Sequence, residues 1–282
     1  MTKIAFLGTG LLGSALVEAA LARGDDVSVW NRTPEKAQAL TKFGARAVIN
    51  PADAVRGAER VHLVLKDDAV VEDVIAALRP GLDKSAIIVD HTTTQPTETA
   101  ARSTRLNNEG VNYLHCPVFI GPVAARLSKG TILSSGRKDL FDKVQPALSK
   151  MADHVEYFGE RPDLAAVYKL CGNALIIGLN ATVSDVLSVA TGAGVNPSDV
   201  LKVADFVNPA GVISVRGKNM IAKNFAPTFE LTMARKDVRL MLETAKQTPL
   251  AVLPGIAKRM DDLIASGHGA DDLAVIATDA VK

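Results

Sequence analysis

Residues 1–13 read MTKIAFLGTGLLG, and this stretch decides the fold. Residues 3–7 form a short apolar run of strand type, followed at once by Gly8-x-Gly10-x-x-Gly13. A helical pattern over residues 14–23 comes next, Gly24 stops it, and a second apolar run fills residues 27–30. Strand, glycine turn, helix and strand, in that order, are the setting in which this spacing signals dinucleotide binding. Gly8 permits the tight turn, Gly10 lets backbone approach a pyrophosphate, and Gly13 lets the helix pack close to the strand. The unpaired amides around Thr9, Leu11 and Leu12 at the helix start then hold the phosphates.

The end of the second strand selects the dinucleotide. An NAD site places a carboxylate there, to bond the ribose 2′-hydroxyl. Here the strand runs into Asn31-Arg32-Thr33, with no acid at its end. Arg32 offers a planar, permanently charged fork to a 2′-phosphate that a carboxylate would repel. A plainer account makes Arg32 a solvated loop residue, with Thr33 as N-cap and Pro34 as first helical residue. The two roles are compatible, and the expected cofactor is NADP in preference to NAD.

Composition narrows the class. A chain of 282 residues is long enough for two domains, and 48% hydrophobic with 22% charged residues is ordinary for a globular protein. A formal net charge of +1 gives no reason to expect nucleic acid or an anionic membrane as partner. The two cysteines, Cys116 and Cys171, lie in no metal-ligand spacing, so no metal is expected and a reducing, cytoplasmic setting is. The N-terminus enters a strand with no basic region, long apolar stretch or cleavage site, so no signal peptide is expected. Residues 173–190 are the most apolar later segment, but Asn180, Ser184 and Asp185 interrupt them, which favours a buried helix over a membrane span.

Strand-like runs recur at residues 4–7, 27–30, 47–49, 61–65, 87–89 and 111–114, with helix-compatible segments at 34–43, 68–78 and 97–108 between them. Such alternation predicts a mostly parallel sheet covered by helices on both faces. Residues 130–136 read as a further strand, 138–151 as a helix and 155–158 as a last short strand. After Gly159 the texture changes: helical stretches at 163–191, 197–205, 230–247 and 250–265 follow, with no convincing strand. The expected division is an α/β domain over residues 1–160 and an all-α domain over 161–282, with the first long helix spanning the join.

Three constellations carry possible chemistry. Lys169 and Asn173 are four apart and share one helix face, an ammonium beside a carboxamide that suits proton transfer to or from a carbonyl oxygen. On spacing alone, a snorkelling lysine and an asparagine bonded to backbone explain the pair better. Leu65-Lys66 and Thr92-Thr93-Thr94 follow strand ends, where ligands of open α/β sheets lie, although a threonine-rich turn before Pro96 also starts a helix. Arg235, Lys236 and Arg239 read by themselves as the wet side of an amphipathic helix.

Taken together these segments resemble the β-hydroxyacid dehydrogenase family, of the 3-hydroxyisobutyrate dehydrogenase and glyoxylate/succinic semialdehyde reductase type. The likeness runs through Gly8-x-Gly10-x-x-Gly13, Asp90 to Pro96, Pro117-Val118 to Gly121, Lys169 with Asn173, Lys236-Asp237 and residues 267–271. It implies a Rossmann N-terminal domain, an all-α second domain and a cofactor cleft between them. It also implies a homodimer or homotetramer built through the helical part. By position it makes Lys169 the general acid/base and Asn173 its neighbour. Leu65, Lys66, Thr93 and Lys236 become cofactor contacts, and Pro117, Val118, Phe119, Ile120 and Gly121 the substrate segment. The implied activity is reversible, NADP-dependent reduction of a small aldehyde or keto acid, such as succinic semialdehyde or glyoxylate.

The chain departs from the family where substrate binds. The family's segment carries a serine where this one has Phe119, and Pro122 removes a backbone donor nearby. A carboxylate then binds differently, for instance through Lys66, or the substrate is less polar. Related imine reductases share an apolar segment of this kind but carry Asp or Tyr in place of Lys169, which sets an imine reductase as the alternative. A non-catalytic NADP-binding module is the alternative from another class.

Overall fold

The computed structural model describes residues 2–281 and divides into two compact units, residues 1–173 and 174–282. In the first, β1 (Lys3–Leu7), β2 (Asp26–Trp30), β3 (Arg46–Ala47), β4 (Arg60–Leu63), β5 (Ile87–Asp90) and β6 (Asn112–His115) form one parallel sheet in the order 3-2-1-4-5-6. That is the Rossmann order, with its switch point between β1 and β4. A smaller sheet holds β7 (Val118–Phe119), β8 (Thr131–Ser134) and β9 (His154–Tyr157), β7 antiparallel to β8.

Seven helices belong to this unit: α1 (Leu11–Ala22), α2 (Pro34–Gln38), α3 (Pro51–Val55), α4 (Asp68–Leu78), α5 (Pro96–Asn108), α6 (Pro122–Arg126) and α7 (Lys138–Leu148). The strand period of two sorts the core between them. Ile4 and Phe6 join the apolar side chains of α1 and α7 on one face, while Ala5 and Leu7 join those of α3, α4 and α5 on the other. A sheet buried on both faces explains why its strands read as unbroken apolar runs.

The long helix α8 (Leu164–Gly192) begins in the first unit and continues into the second, so the division into compact units falls inside it, at residue 173. The second unit adds α9 (Pro197–Val200), α10 (Pro209–Ile221), α11 (Leu231–Ala245) and α12 (Leu253–Leu263). Leu231, Ala234, Val238, Ala257, Met260, Leu263 and Val275 form its small core. Two carboxylates pin its loops. Asp185 accepts from the amides of Ala251, Val252 and Leu253, and Asp272 from those of Thr228, Phe229 and Ala274.

Several expectations change. The segment at 34–43 breaks into α2 and a 3-10 turn at Thr41–Phe43, ended by Gly44 in the left-handed region. Residues 197–205 break likewise into α9 and a 3-10 turn, since neither piece buries a side chain that would hold a longer helix. β7, α3, α6 and α10 were not foreseen, although Asn50-Pro51 and Asn208-Pro209 are helix-start pairs whose asparagines do cap. The largest correction concerns α8. The expected burial of residues 173–190 fails, because Leu175, Ile176, Ile177, Leu179 and Val183 all stand exposed. This helix is long and apolar enough to cross a membrane by length and composition.

Candidate active site

The glycine turn follows β1 and opens α1. Gly8 has φ +101°, and a Cβ there would lie 2.2 Å from the Val64 carbonyl oxygen, so no other residue fits. A Cβ on Gly13 would lie 2.0 Å from the Gly8 carbonyl oxygen, which is the close strand–helix approach expected of it. A Cβ on Gly10 would meet nothing within 4 Å. That open space adjoins the first amides of α1, which have no partner within the helix and no side-chain cap. Leu11 is exposed, Leu12 packs against the core, and the buried Thr9 Oγ1 has no hydrogen-bond partner among the described residues. Free amides, room beside them and an unsatisfied hydroxyl all fit a pyrophosphate.

A cleft of about 560 Å³ extends from this turn, lined by Gly8, Gly10, Asn31, Arg32, Thr33, Leu65 and Lys66, and also by Lys36. The Asn31 side chain acts as a strut: its Oδ1 accepts from the Thr9 amide at 2.9 Å and its Nδ2 donates to the Thr33 carbonyl at 3.0 Å. Arg32 and Lys36 have no carboxylate partner among the described residues. Lys36 is a second cation that the sequence reading passed over, one turn into α2. It was visible there, because Thr33-Pro34 sets the phase of that helix.

The threonine turn is resolved by its bonds. Thr92 Oγ1 accepts from the Leu65 amide at 3.1 Å, and Thr94 Oγ1 bonds Thr99 and His115. Both side chains are buried, whereas Thr93 is exposed, so only its hydroxyl is free for a ligand. Lys66 is exposed and 3.5 Å from Asp67. Lys236 lies in the second unit on α11, paired with Asp237 at 2.9 Å.

The start of α8 is fixed by Ser135, whose hydroxyl accepts from the Ala165 amide at 2.9 Å and donates to the Pro162 carbonyl at 3.0 Å. One turn on, Tyr168 stacks on Phe158 with ring centroids 4.0 Å apart. Lys169 is thereby turned inward and is only 8% exposed. Its Nζ donates to Asn173 Oδ1 at 2.9 Å and sits 4.1 Å from the centre of the Phe119 ring. Burial holds this ammonium below the ordinary lysine value. Of its three N–H groups, two have no hydrogen-bond acceptor among the described residues and are available to a substrate oxygen.

Phe119 is set by the small sheet. β7 pairs Phe119 with Thr131, and Pro117 and Val118 are buried beneath it. Its ring lies against Gly172, where a Cβ would come 2.2 Å from Cζ. Ile120 packs on the core and Gly121 is exposed at the start of α6. Lys169, Asn173, Phe119 and Gly172 therefore form one cluster. The Phe119–Gly172 fit is the part the sequence did not suggest, because the two residues lie in distant segments.

Comparison with known proteins divides the chain between residues 159 and 164. The family model for the NAD binding domain of 6-phosphogluconate dehydrogenase matches residues 3–159, and that for the NAD-binding region of NADP-dependent 3-hydroxyisobutyrate dehydrogenase matches 164–278. Glyoxylate/succinic semialdehyde reductase 2, chloroplastic, of Arabidopsis thaliana is 28% identical over 258 residues, covering 88% of this chain and 72% of that protein. The 2-hydroxy-3-oxopropionate reductase of Escherichia coli strain K12 is 27% identical over 255 residues, covering 88% and 86%. A Streptomyces aurantiacus imine reductase superposes with TM-score 0.90 over 100% of both chains at 22% identity, a likeness of fold.

Proposed function

The chain belongs to the β-hydroxyacid dehydrogenase family and is an NAD(P)-dependent oxidoreductase, and from that premise we propose that it reversibly reduces a small aldehyde or keto acid. Succinic semialdehyde and glyoxylate are the first substrates to try. The observation that carries this reading is the buried Lys169 ammonium, held by Asn173 and depressed in pKa by its surroundings. A proton donor works best when its pKa lies near the operating pH, and burial moves lysine that way.

Bound at the glycine turn, the nicotinamide dinucleotide supplies or accepts the hydride. The amides of Leu11, Leu12 and Gly13 would hold its phosphates, and the Thr93 hydroxyl would offer a further contact. Lys169 Nζ donates a proton to the carbonyl oxygen during reduction and takes it back from the hydroxyl during oxidation. Asn173 keeps the ammonium aimed. Arg32 and Lys36 support NADPH over NADH, since both line the cleft beyond β2 and no carboxylate stands at the end of that strand.

Imine reduction is the second reading, favoured by the apolar ring of Phe119 against Lys169. Steady-state rates on a carbonyl panel and an imine panel, each with NADPH and NADH, separate the two. Turnover of a carbonyl with NADPH preferred is the expected result; activity on imines alone would reverse the assignment.

The exposed apolar side chains of α8 and of α10 (Val212, Ile213, Val215, Ile221) suit a second copy of the chain, and a homodimer or homotetramer is the working assembly we propose. Light scattering after gel filtration tests it, and a monomer at micromolar concentration would refute it. A cytoplasmic location fits two free thiols, one of them the exposed Cys171.

A further inference from the structure

The amino-terminal end of the central strands β1 and β4, away from the glycine turn, carries a concentration of positive charge. Thr2, just before β1, Ile4 of β1, and Arg60 and His62 of β4 line a cavity of about 210 Å³ there. Arg23 and Asp25, just past α1, and Lys143 and Lys150, on α7 and just after it, complete the wall. Four cations share this space with one carboxylate. Asp25 lies 3.8 Å from Arg23. Arg60, Lys143 and Lys150 have no carboxylate within 4.0 Å among the described residues, and Arg60 Nε is buried with no hydrogen-bond partner.

His62 adds a second unspent polar atom. It is buried, with its ring stacked on Phe6 at 4.6 Å. His91 Nδ1 lies 2.7 Å from the Cys116 carbonyl, which can only accept, so this nitrogen donates. The other ring nitrogen of neutral His91 then accepts from His62 Nδ1, 2.9 Å away. His62 Nε2 is then an acceptor with no protein donor among the described residues, so it can take an O–H of a partly protonated oxyanion but adds nothing to the hold on its bare oxygens.

The charges disfavour one another. Burial works against the Arg23 cation, Asp25 offsets part of that, and Arg60 adds to it. Protonated His62 is opposed by burial and then by His91, Arg60 and Arg23. Cations at helix C-termini are commonplace and stabilising. That role accounts for Arg23 and Lys150, but not for Arg60 at the start of a strand. The cavity is also distinct from the dinucleotide cleft, since Ile4 and Gly8 are separated by roughly 13 Å of extended strand.

We infer that this cavity binds a small oxyanion of two or more charges, with Arg60, Arg23, Lys143 and Lys150 as its ligands. Phosphate and polycarboxylate share that chemistry. The test is titration calorimetry with inorganic phosphate in one arm and citrate in the other, on protein saturated with NADPH so that the glycine turn is filled. Saturable binding in either arm is expected, and the arm that responds identifies the anion. Arg60→Gln, and separately the exposed pair Lys143→Gln with Lys150→Gln, should each weaken it by about tenfold or more. The lysine pair lies on the surface, so its replacement leaves a folded protein even if Arg60→Gln does not. No saturable heat in either arm, or equal affinity in the lysine variant, overturns the site.

Discussion

The first unit contains two helix starts that serve chemistry in opposite ways. At the start of α1 the backbone is the functional group: free amides, a turn at Gly8, and a Gly13 whose missing side chain admits the strand. The side chains of Leu11 and Leu12 contribute little to that role. At the start of α8 the backbone is ordinary helix, and Lys169, Asn173 and the intruding Phe119 ring carry the function. A site of backbone is written contiguously and tolerates exchange of most side chains around it. A site of side chains is gathered from distant segments, and one substitution changes what it does.

The sharpest way to break this contrast is Lys169→Ala. It should lower turnover by roughly 10²–10⁴, the usual size of a general acid/base contribution, and leave NADPH affinity as it was. Fluorescence titration of NADPH beside steady-state rates checks both halves. The pH profile gives the sign independently. Reduction needs the protonated amine, so its kcat/KM should fall as pH rises through a pKa below the ordinary lysine range; oxidation should rise through the same point. A profile without that limb removes Lys169 from the chemistry.

Legibility followed the same divide. The Gly8–Gly13 turn was readable because each glycine answers a local backbone demand, and β1, β2, β4, β5 and β6 because burial makes apolar runs, whereas the run expected at 47–49 is the short, unburied β3 at Arg46–Ala47. β7 was not, since two residues leave no pattern, yet it is what aims Phe119. Local pattern left Thr92, Thr93 and Thr94 undivided and only the family resemblance singled out Thr93, as the partners that occupy the other two hydroxyls are the Leu65 amide, Thr99 and His115. For α8 the apolar pattern was right and the conclusion from it was wrong. Hydrophobic periodicity records that a face is to be covered, not whether the same chain covers it.

The backbone site can be dissected with two alanines. Gly13→Ala places a methyl against the Gly8 carbonyl; overpacking of about 1–3 kcal/mol should weaken NADPH by roughly 5- to 150-fold and lower the melting temperature as well. Gly10→Ala has open space in the free protein, so it should weaken NADPH with the melting temperature unchanged. Equal behaviour of the two variants would mean that the turn is not read by approach of backbone to phosphate. Smaller again, Arg32→Ala and Lys36→Ala should each reduce the preference for NADPH over NADH by about tenfold, as loss of a charged hydrogen bond implies. Parallel kcat/KM values for the two cofactors measure it.

The finest distinction concerns the ring that the side-chain site has taken in. A phenyl face near an ammonium has two opposed effects: its quadrupole favours the cation by about 0.5–2 kcal/mol, and its bulk excludes the water that would favour the cation more. The depressed pKa of Lys169 has burial as its cause, so exclusion wins. Phe119→Ser should therefore move the Lys169 limb of the pH profile to higher pH. The same change should improve KM for acid-bearing over neutral aldehydes by about threefold to tenfold, one hydrogen bond's worth. Gly172→Ala supplies the converse probe, because its methyl would occupy the place of Cζ and displace the ring without removing it. If position is what matters, the two single variants shift the limb in the same direction, and the double variant shifts it no further than Phe119→Ser alone. Additive shifts would show that Gly172 acts on Lys169 by some route other than the ring.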